Sequence, residues 1–392
     1  MAENSKAALV LVLWVLALVF ADQAFVGTAP NGSLVLQPAD GQHVLFGGVA
    51  FRSLVRRLEA AERQLAEQQC PVVADTTTIA GLNGSAKWVG GVLAPNGRIY
   101  GMPFGSESVL IIDPATNTAD TTTISGLTGA SKWIGGVLAG NGKIYGIPSS
   151  ARSVLIIDPA TNTADTSAIA GLPTNSQWAG GVLAGNAKIY GMSALSTSVL
   201  IIDPASNTTD TTTITGFVAG VSKWYGGVLA GNGKIYGIPF NSPSVLIIDP
   251  ITNTADTTAI TGLIGNAKWV WGTLASNGKI YSIPFNLKSV QIIDPTTNTT
   301  DIITIPGLDG SSGWVGGVLA GNGKIYGIPA GASPVLVIDP ATNTVYISVN
   351  ATTSAGLSGW YNGVLANNGK IYGIPYTSTS VLIIKRDCDG RL

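Results

Sequence analysis

Groups able to move protons or attack carbonyls are scarce in this chain, and from residue 75 onward most of the acidic ones recur at fixed intervals. From residue 75 onward there is one glutamate, Glu107. Twelve aspartates fall into two repeated sets. The first is Asp113, Asp158, Asp203, Asp249, Asp294 and Asp339; the second is Asp75, Asp120, Asp165, Asp210, Asp256 and Asp301. Only Asp309, Asp387 and Asp389 stand apart from them. A general acid and a general base need two carboxylates held in unlike environments, whereas one aspartate repeated in one kind of turn gives like environments. The single histidine, His43, precedes the repeats and reads as a surface residue. Nothing in the repeats supplies a nucleophile–base pair or soft metal ligands. The expectation is a protein without catalytic activity, metal or cofactor.

The remaining chemistry is repetitive too. Each aspartate of the first set opens an Asp-Pro-x-x-Asn turn, where the carboxylate bonds the backbone two residues on. A calcium reading of "DPATNTAD" gathers oxygen ligands but lacks the ligand density of calcium loops. A basic set, Arg98, Lys143, Lys188, Lys234, Lys279, Lys324 and Lys370, is expected to pair with neighbouring carboxylates, a sevenfold anion site being the alternative. Seven tryptophans, Trp88, Trp133, Trp178, Trp224, Trp269, Trp314 and Trp360, follow one another at gaps of 45 or 46 residues. Each reads either as a core wedge with its N–H satisfied by backbone or as a stacking platform for a sugar, multiplied for avidity. Lys87, Lys132, Lys223 and Lys268 immediately precede four of them, with Gln177, Gly313 and Gly359 in the other units. These tryptophans and lysines are the candidate ligand-binding residues. Trp271 lies outside the phase.

The elements that must position these residues follow from the period. In the unit from Lys132 to Asp165, "WIGGVLA" is a first strand, and the Gly-Asn-Gly after it is a hairpin turn. "KIYGIP" and "SVLIID" are the second and third strands, and "TADTSAI" is the fourth. The third is apolar on both sides, as in a sheet covered on both faces. Four antiparallel strands at a period near 45 make a propeller blade, and seven tryptophans make seven blades. The motif "GKIYGIP…SVLIIDPATNT" resembles the kelch-type blade over residues 75–392. It departs from kelch in placing the Gly-Gly pair, as at Gly135-Gly136, ahead of the tyrosine strand. The resemblance implies an all-β, seven-bladed propeller and a habit of binding, with no particular partner. The Asp-box of propeller sialidases is absent.

The last unit stops after its third strand, and "VADTTTIAGL", Val73 to Leu82, stands before the first tryptophan. This N-terminal strand is therefore expected to complete the seventh blade, giving a propeller over 71–392. Shifted by whole periods, Cys70 falls on the position of Ala115 and Cys388 on that of Thr116, adjacent residues of one turn. A Cys70–Cys388 disulfide is expected in place of the missing covalent turn, in an oxidising compartment. For so long a loop, chain entropy gives about 5 kcal/mol.

Ahead of the propeller, residues 1–21 carry Lys6, an apolar run and small residues at Val19 and Ala21, the pattern of a secretory signal. Residues 22–50 read as a short β-containing segment. Residues 51–69 have apolar positions at a/d spacing, a single helix or a short coiled-coil stalk that would assemble copies of the chain. N-glycosylation sequons stand at Asn31, Asn83, Asn207, Asn298 and Asn350. Net charge is −1 and only 11% of residues are charged, against about 25% in typical domains. That balance excludes nucleic acid as a partner and leaves membrane attachment to an uncleaved N-terminal segment. The second-to-third strand loops and the inter-blade connections vary from unit to unit, and they share a face with the tryptophans. Variable loops on a rigid scaffold carry binding. The expected function is a secreted or cell-surface protein that recognises a glycan or a protein with that face. A structural or adhesive coat protein without a specific ligand site is the alternative.

Overall fold

Each repeat folds back on itself because its punctuation permits nothing else. After Trp133–Leu138, the turn residue Gly142 takes φ +78° while Ala139 and Lys143 bond across it, reversing the chain into Ile144–Pro148. After Leu155–Asp158, the Asp158 carboxylate accepts the Ala160 amide at 3.0 Å and Asn162 takes φ +53°, which turns the chain into Thr163–Asp165. Asparagine is among the few L-residues that enter this region readily.

The computed structural model describes residues 71–173, 177–305, 313–331, 334–348, 359–386 and 392. It also describes the strands Ala24–Thr28, Leu34–Pro38, Leu45–Phe46 and Val49–Ala50. The chain divides into two units, Met1–Cys70 and Pro71–Leu392. In the first, Ala24–Thr28 pairs with Leu34–Pro38, and Leu45–Phe46 pairs with Val49–Ala50, both antiparallel. The expected signal over 1–21, the helix over 51–69, His43, Cys70, Cys388, Asn31 and Asn350 lie outside the described residues. No described helix is long and apolar enough to cross a membrane.

The second unit is an all-β, seven-bladed propeller of four-stranded antiparallel sheets. Blades are numbered here by their tryptophans, from Trp88 in blade 1 to Trp360 in blade 7. The first strands of successive blades lie against one another, blade 7 against blade 1 included, and so form the inner ring. Blade 7 takes its fourth strand from the N-terminal side. Val72–Asp75 pairs antiparallel with Leu382–Arg386, with Asp75 opposite Ile383 and Val72 opposite Arg386.

Blades cohere because each apolar cluster is shared between two of them. Val137, Tyr145, Ile147 and Ile156 of blade 2 pack with Trp178, Ile189, Leu200 and Ile202 of blade 3. A polar latch also joins neighbouring blades on the face of the invariant turns, as between blades 1 and 2. Tyr100 donates to Asn162 Oδ1 at 2.6 Å, and Asn96 Nδ2 donates to the Pro159 carbonyl at 2.9 Å. Blade 7 closes on blade 1 in the same way, Tyr372 onto Asn117 and Asn368 onto Pro114. The repeated words "NGKIY" and "DPATN" are the two halves of this latch. Two expected glycosylation acceptors belong to it: Asn207 accepts from Tyr145, and Asn298 from Tyr236. Their sequons arise because threonine fills the second position after the latch asparagine. Asn83 is exposed.

The basic set pairs with the first aspartate set from Arg98–Asp113 at 3.2 Å to Lys324–Asp339 at 3.6 Å. The partly exposed pairs, Arg98–Asp113 to Lys279–Asp294, contribute at most about 1 kcal/mol each. In blade 7, Lys385 stands where the other blades have aspartate.

The second aspartate set ends the outer strands. Asp120 accepts the hydroxyls of Thr123 and Thr122 and both of their amides, so the chain turns away from the sheet. In blade 5 isoleucine, Ile303, replaces the threonine two residues after the aspartate, and the strand runs on to Thr304. The Thr123 hydroxyl and then, against the opposing pull of partial burial, the Thr122 amide hold the Asp120 carboxyl at about 2. Asp75 and Asp210 sit at about 2 as well, where several such bonds together outweigh burial. Unfolded carboxylates take up protons near pH 4, and these folded ones only near pH 2. Their stabilisation is therefore complete above about pH 4 and drains away as the pH falls towards 2. The urea midpoint is expected to fall steadily from pH 5 to pH 2.5; a midpoint flat over that range would contradict it.

Candidate functional site

The seven phased tryptophans are core, each only 0–3% exposed. Every one donates its indole N–H to the backbone carbonyl twenty residues on, such as Trp133 to Ser153 and Trp360 to Ser380, at 2.7–2.8 Å. They are wedges between blades, and none has a ring face free to stack on a ligand.

The four lysines are corrected likewise, being only 0–6% exposed. Lys268 Nζ donates to the carbonyls of Ser242 at 2.8 Å and Gly265 at 2.9 Å. Lys223 Nζ reaches Ala194, Ser196 and Val218, and Lys87 Nζ reaches Gly84, Tyr376 and Ser378. Lys132 Nζ bonds Gly129 and Phe104. The long stem lets the ammonium bend back onto carbonyls of its own connection and of the preceding blade's second-to-third loop. Burial pushes the Lys223 and Lys268 amines down to about 8. The lysines thus clamp the variable loops in place. Replacing Lys268 by methionine leaves the buried Ser242 carbonyl without a donor, so a loss of about 1–3 kcal/mol is expected; chemical denaturation measures it, and an unchanged midpoint would refute the clamp.

The clamped loops deliver aromatic rings to the propeller axis. Phe240 receives the Lys268 amide on its carbonyl and gives its own amide to the Lys223 carbonyl; Phe104 and Tyr376 bridge blades in the same manner. The rings meet in two arcs. On one side Phe104 lies 6.0 Å from Tyr376, and Tyr376 lies 4.4 Å from Tyr361. On the other, Tyr225 lies 4.9 Å from Phe240, and Phe240 lies 5.8 Å from Phe285. Tyr225 and Tyr361 follow Trp224 and Trp360 on the inner strands of blades 4 and 7. These two tyrosines hold the same position on inner strands three blades apart in the ring of seven. The arcs therefore face each other across the axis, and all six rings are partly exposed. Burial, then Tyr376 and Tyr225, push the Tyr361 hydroxyl up to about 12, and burial raises Tyr376 too. Both stay neutral phenols.

One step further down the inner ring, each blade contributes a residue in the left-handed region: Gly90, Gly135, Gly180, Gly226, Trp271, Gly316 and Asn362, at φ +57° to +85°. Glycine suits the ring because a Cβ on Gly90 would lie 3.0 Å from the Gly135 Cα. Trp271 and Asn362 are the two exceptions. The indole of Trp271 crosses against Gly226, Gly180 and Gly135, on three successive blades, while Asn362 covers Gly316. A bulky residue at positive φ is a conformational outlier, and such outliers concentrate at functional sites.

Neither the arcs nor the two ring exceptions were among the residues singled out from sequence as ligand-binding. The signal was present as departures from the repeat: tyrosine after tryptophan in two blades, and tryptophan or asparagine in place of the first glycine. None of the inner-ring or loop-start positions carries a charge: Val89, Ile134, Ala179, Tyr225, Val270, Val315 and Tyr361 follow the tryptophans, and Phe104, Ser149, Ala194, Phe240, Phe285, Ala330 and Tyr376 open the loops.

No protein-family model matches this sequence, and no curated protein matches it. Many solved structures share the fold. A streptogramin B lyase is similar at TM-score 0.66 and 12% identity, over 81% of this chain and 98% of that one. A catalytically inactive virginiamycin B lyase from Staphylococcus aureus with quinupristin is similar at TM-score 0.61 and 10% identity, over 80% and 99%. An extracellular domain of a one-component system from B. thetaiotaomicron is similar at TM-score 0.58 and 10% identity, over 80% of this chain and 42% of that one. Kuenenia stuttgartiensis hydrazine synthase also has the fold, at TM-score 0.58 and 13% identity. The kelch likeness accordingly rests on the repeat motif alone. These neighbours overturn the expectation of a protein without catalytic activity. The architecture carries lyases and a synthase, so repeated aspartates are no ground for excluding catalysis. At such identities the comparisons establish one thing for this chain, the propeller fold.

Proposed function

We propose that this is a binding propeller which recognises a glycan at the axial mouth, on the face that carries the variable loops. The observation that carries the reading is the pair of opposed aromatic arcs, neutral and partly open to solvent, where the phased tryptophans and the second-strand tyrosines are buried. Sugar rings have apolar C–H faces that stack on aromatics and hydroxyls that need polar partners, and a pocket of rings with a few polar groups meets both needs. Export to the cell surface or beyond is part of the proposal. The N-terminal sequence pattern supports it, as do the extracellular domains among proteins of similar fold. A glycan array with the full chain and its Phe240→Ala and Tyr361→Ala variants tests the reading. Selective binding that both variants weaken is expected; no glycan bound, or binding indifferent to both changes, refutes it.

A further inference from the structure

We propose that Trp271 and Asn362 floor the axial mouth and make it a blind subsite for the terminal residue of a neutral glycan, entered end-on. The proposal rests on the glycan reading above and adds which part of the ligand is read and by which groups.

Three observations carry it. The first is placement. Trp271 lies across the glycines of three blades and Asn362 across a fourth, one position along the inner strands from the level of Tyr225 and Tyr361, whose arcs stand on opposite sides of the ring. Opposed walls above a floor suit one ring seated at a chain end, whereas an extended groove would suit an internal stretch. The second is unused hydrogen-bonding capacity. The seven phased indoles all donate to backbone, yet among the described residues Trp271 Nε1 has no partner. Nor do Asn362 Nδ2 or the hydroxyls of Tyr225, Tyr361 and Tyr376. Asn362 Oδ1 is occupied by the Gly363 amide, which leaves its NH2 outward as donor. None of these atoms is among the buried unpaired ones. Five polar groups accessible among aromatic rings match a ligand bearing several hydroxyls; a quaternary ammonium has no acceptor for two such N–H donors. The third is conformation. Trp271 and Asn362 occupy positive φ where five other blades use glycine, so reverting either to glycine follows the repeat and relieves the backbone.

That reversion separates a binding role from a structural one. The probes are neutral hexose and N-acetylhexosamine oligosaccharides, free or methyl-capped at each end in turn, together with a phosphocholine-bearing glycan. The full chain is expected to bind a free-ended neutral oligosaccharide and to lose at least tenfold in affinity when one particular end is capped. Trp271→Gly should lose at least tenfold while its thermal midpoint stays or rises, and Asn362→Gly should weaken binding in the same sense. Neutral oligosaccharides that bind equally whichever end is capped, or equally to Trp271→Gly, would overturn the end-on floor and leave the glycan reading standing. A Trp271→Gly chain that melts earlier would mark Trp271 as a core residue and overturn the proposal. Binding confined to phosphocholine would overturn the neutral-sugar assignment, and no binding to any probe would overturn both readings.

Discussion

Replacing Trp178 by alanine is expected to destabilise the propeller by about 3–5 kcal/mol, the range for truncating a buried large aromatic. Trp178 is fully buried and packs with Val137, Tyr145 and Ile147 of the preceding blade and with Ile189, Leu200 and Ile202 of its own. The substitution opens a void on the seam between two blades. It also orphans the buried Ser198 carbonyl, which accepts the indole N–H at 2.8 Å, and that group adds about 1–3 kcal/mol if no water replaces the donor. A ring cannot localise such damage, since the two blades on either side of the seam are also held by their other neighbours. The loss should therefore appear as a lower midpoint of one cooperative transition in chemical denaturation. A loss under about 1 kcal/mol would mean that the tryptophans are not the wedges described. Trp271→Gly, two residues past Trp269, should have no such cost, which makes the pair a sharp contrast between identical side chains.

The second large effect is expected at the closure of the ring. Val73 and Ala74 lie opposite Lys385 and Ile384 in the strand that completes blade 7. Successive N–H groups of a strand point to opposite edges, so one of these two residues must donate into the sheet. Proline at both positions removes that donor whichever it is, and proline is not tolerated on the hydrogen-bonded side of a strand. Losing the strand uncovers Val72 and Ala74, which pack against Val318, Ile384 and Leu382, and bares the edge of Leu382–Arg386. A destabilisation on the order of 3 kcal/mol or more follows from the lost hydrogen bonds and burial. The same double change at Thr118 and Ala119, opposite Asp113 and Ile112 in blade 1, disturbs one blade's outer strand without opening the ring, and should cost less. Equal losses at the two places would show that closure has no special weight.

How much of this was legible beforehand depended on whether a feature repeats. The period of 45–46 residues, the Gly-Asn-Gly and Asp-Pro-x-x-Asn turns and the doubly apolar third strands sufficed for the seven-bladed fold. Turn chemistry is local, and blade packing repeats with it. The lysines misled because adjacency to tryptophan reads the same whether an ammonium projects to solvent or folds back on carbonyls; three-dimensional proximity to Ser242 or Tyr376 decides it. The axial site was hidden for a related reason. Its residues come from blades 1, 4, 5 and 7, and each is a single departure inside a first strand or at a loop start. Only the closed ring shows that Tyr225 and Tyr361, 136 residues apart, stand at the same level of one inner ring. Trp271, set aside from sequence because it breaks the phase, is informative for that very reason.

The central claim is that recognition occurs at the axis while the phased tryptophans serve as wedges. Tryptophan emission during titration with an array-selected glycan tests it most directly, in the full chain and in Trp271→Phe. Ligand should shift or quench the emission of the unaltered chain and leave that of Trp271→Phe unchanged, because the seven buried indoles have no access to it. A ligand-induced change that persists undiminished in Trp271→Phe would place the site elsewhere and contradict the account.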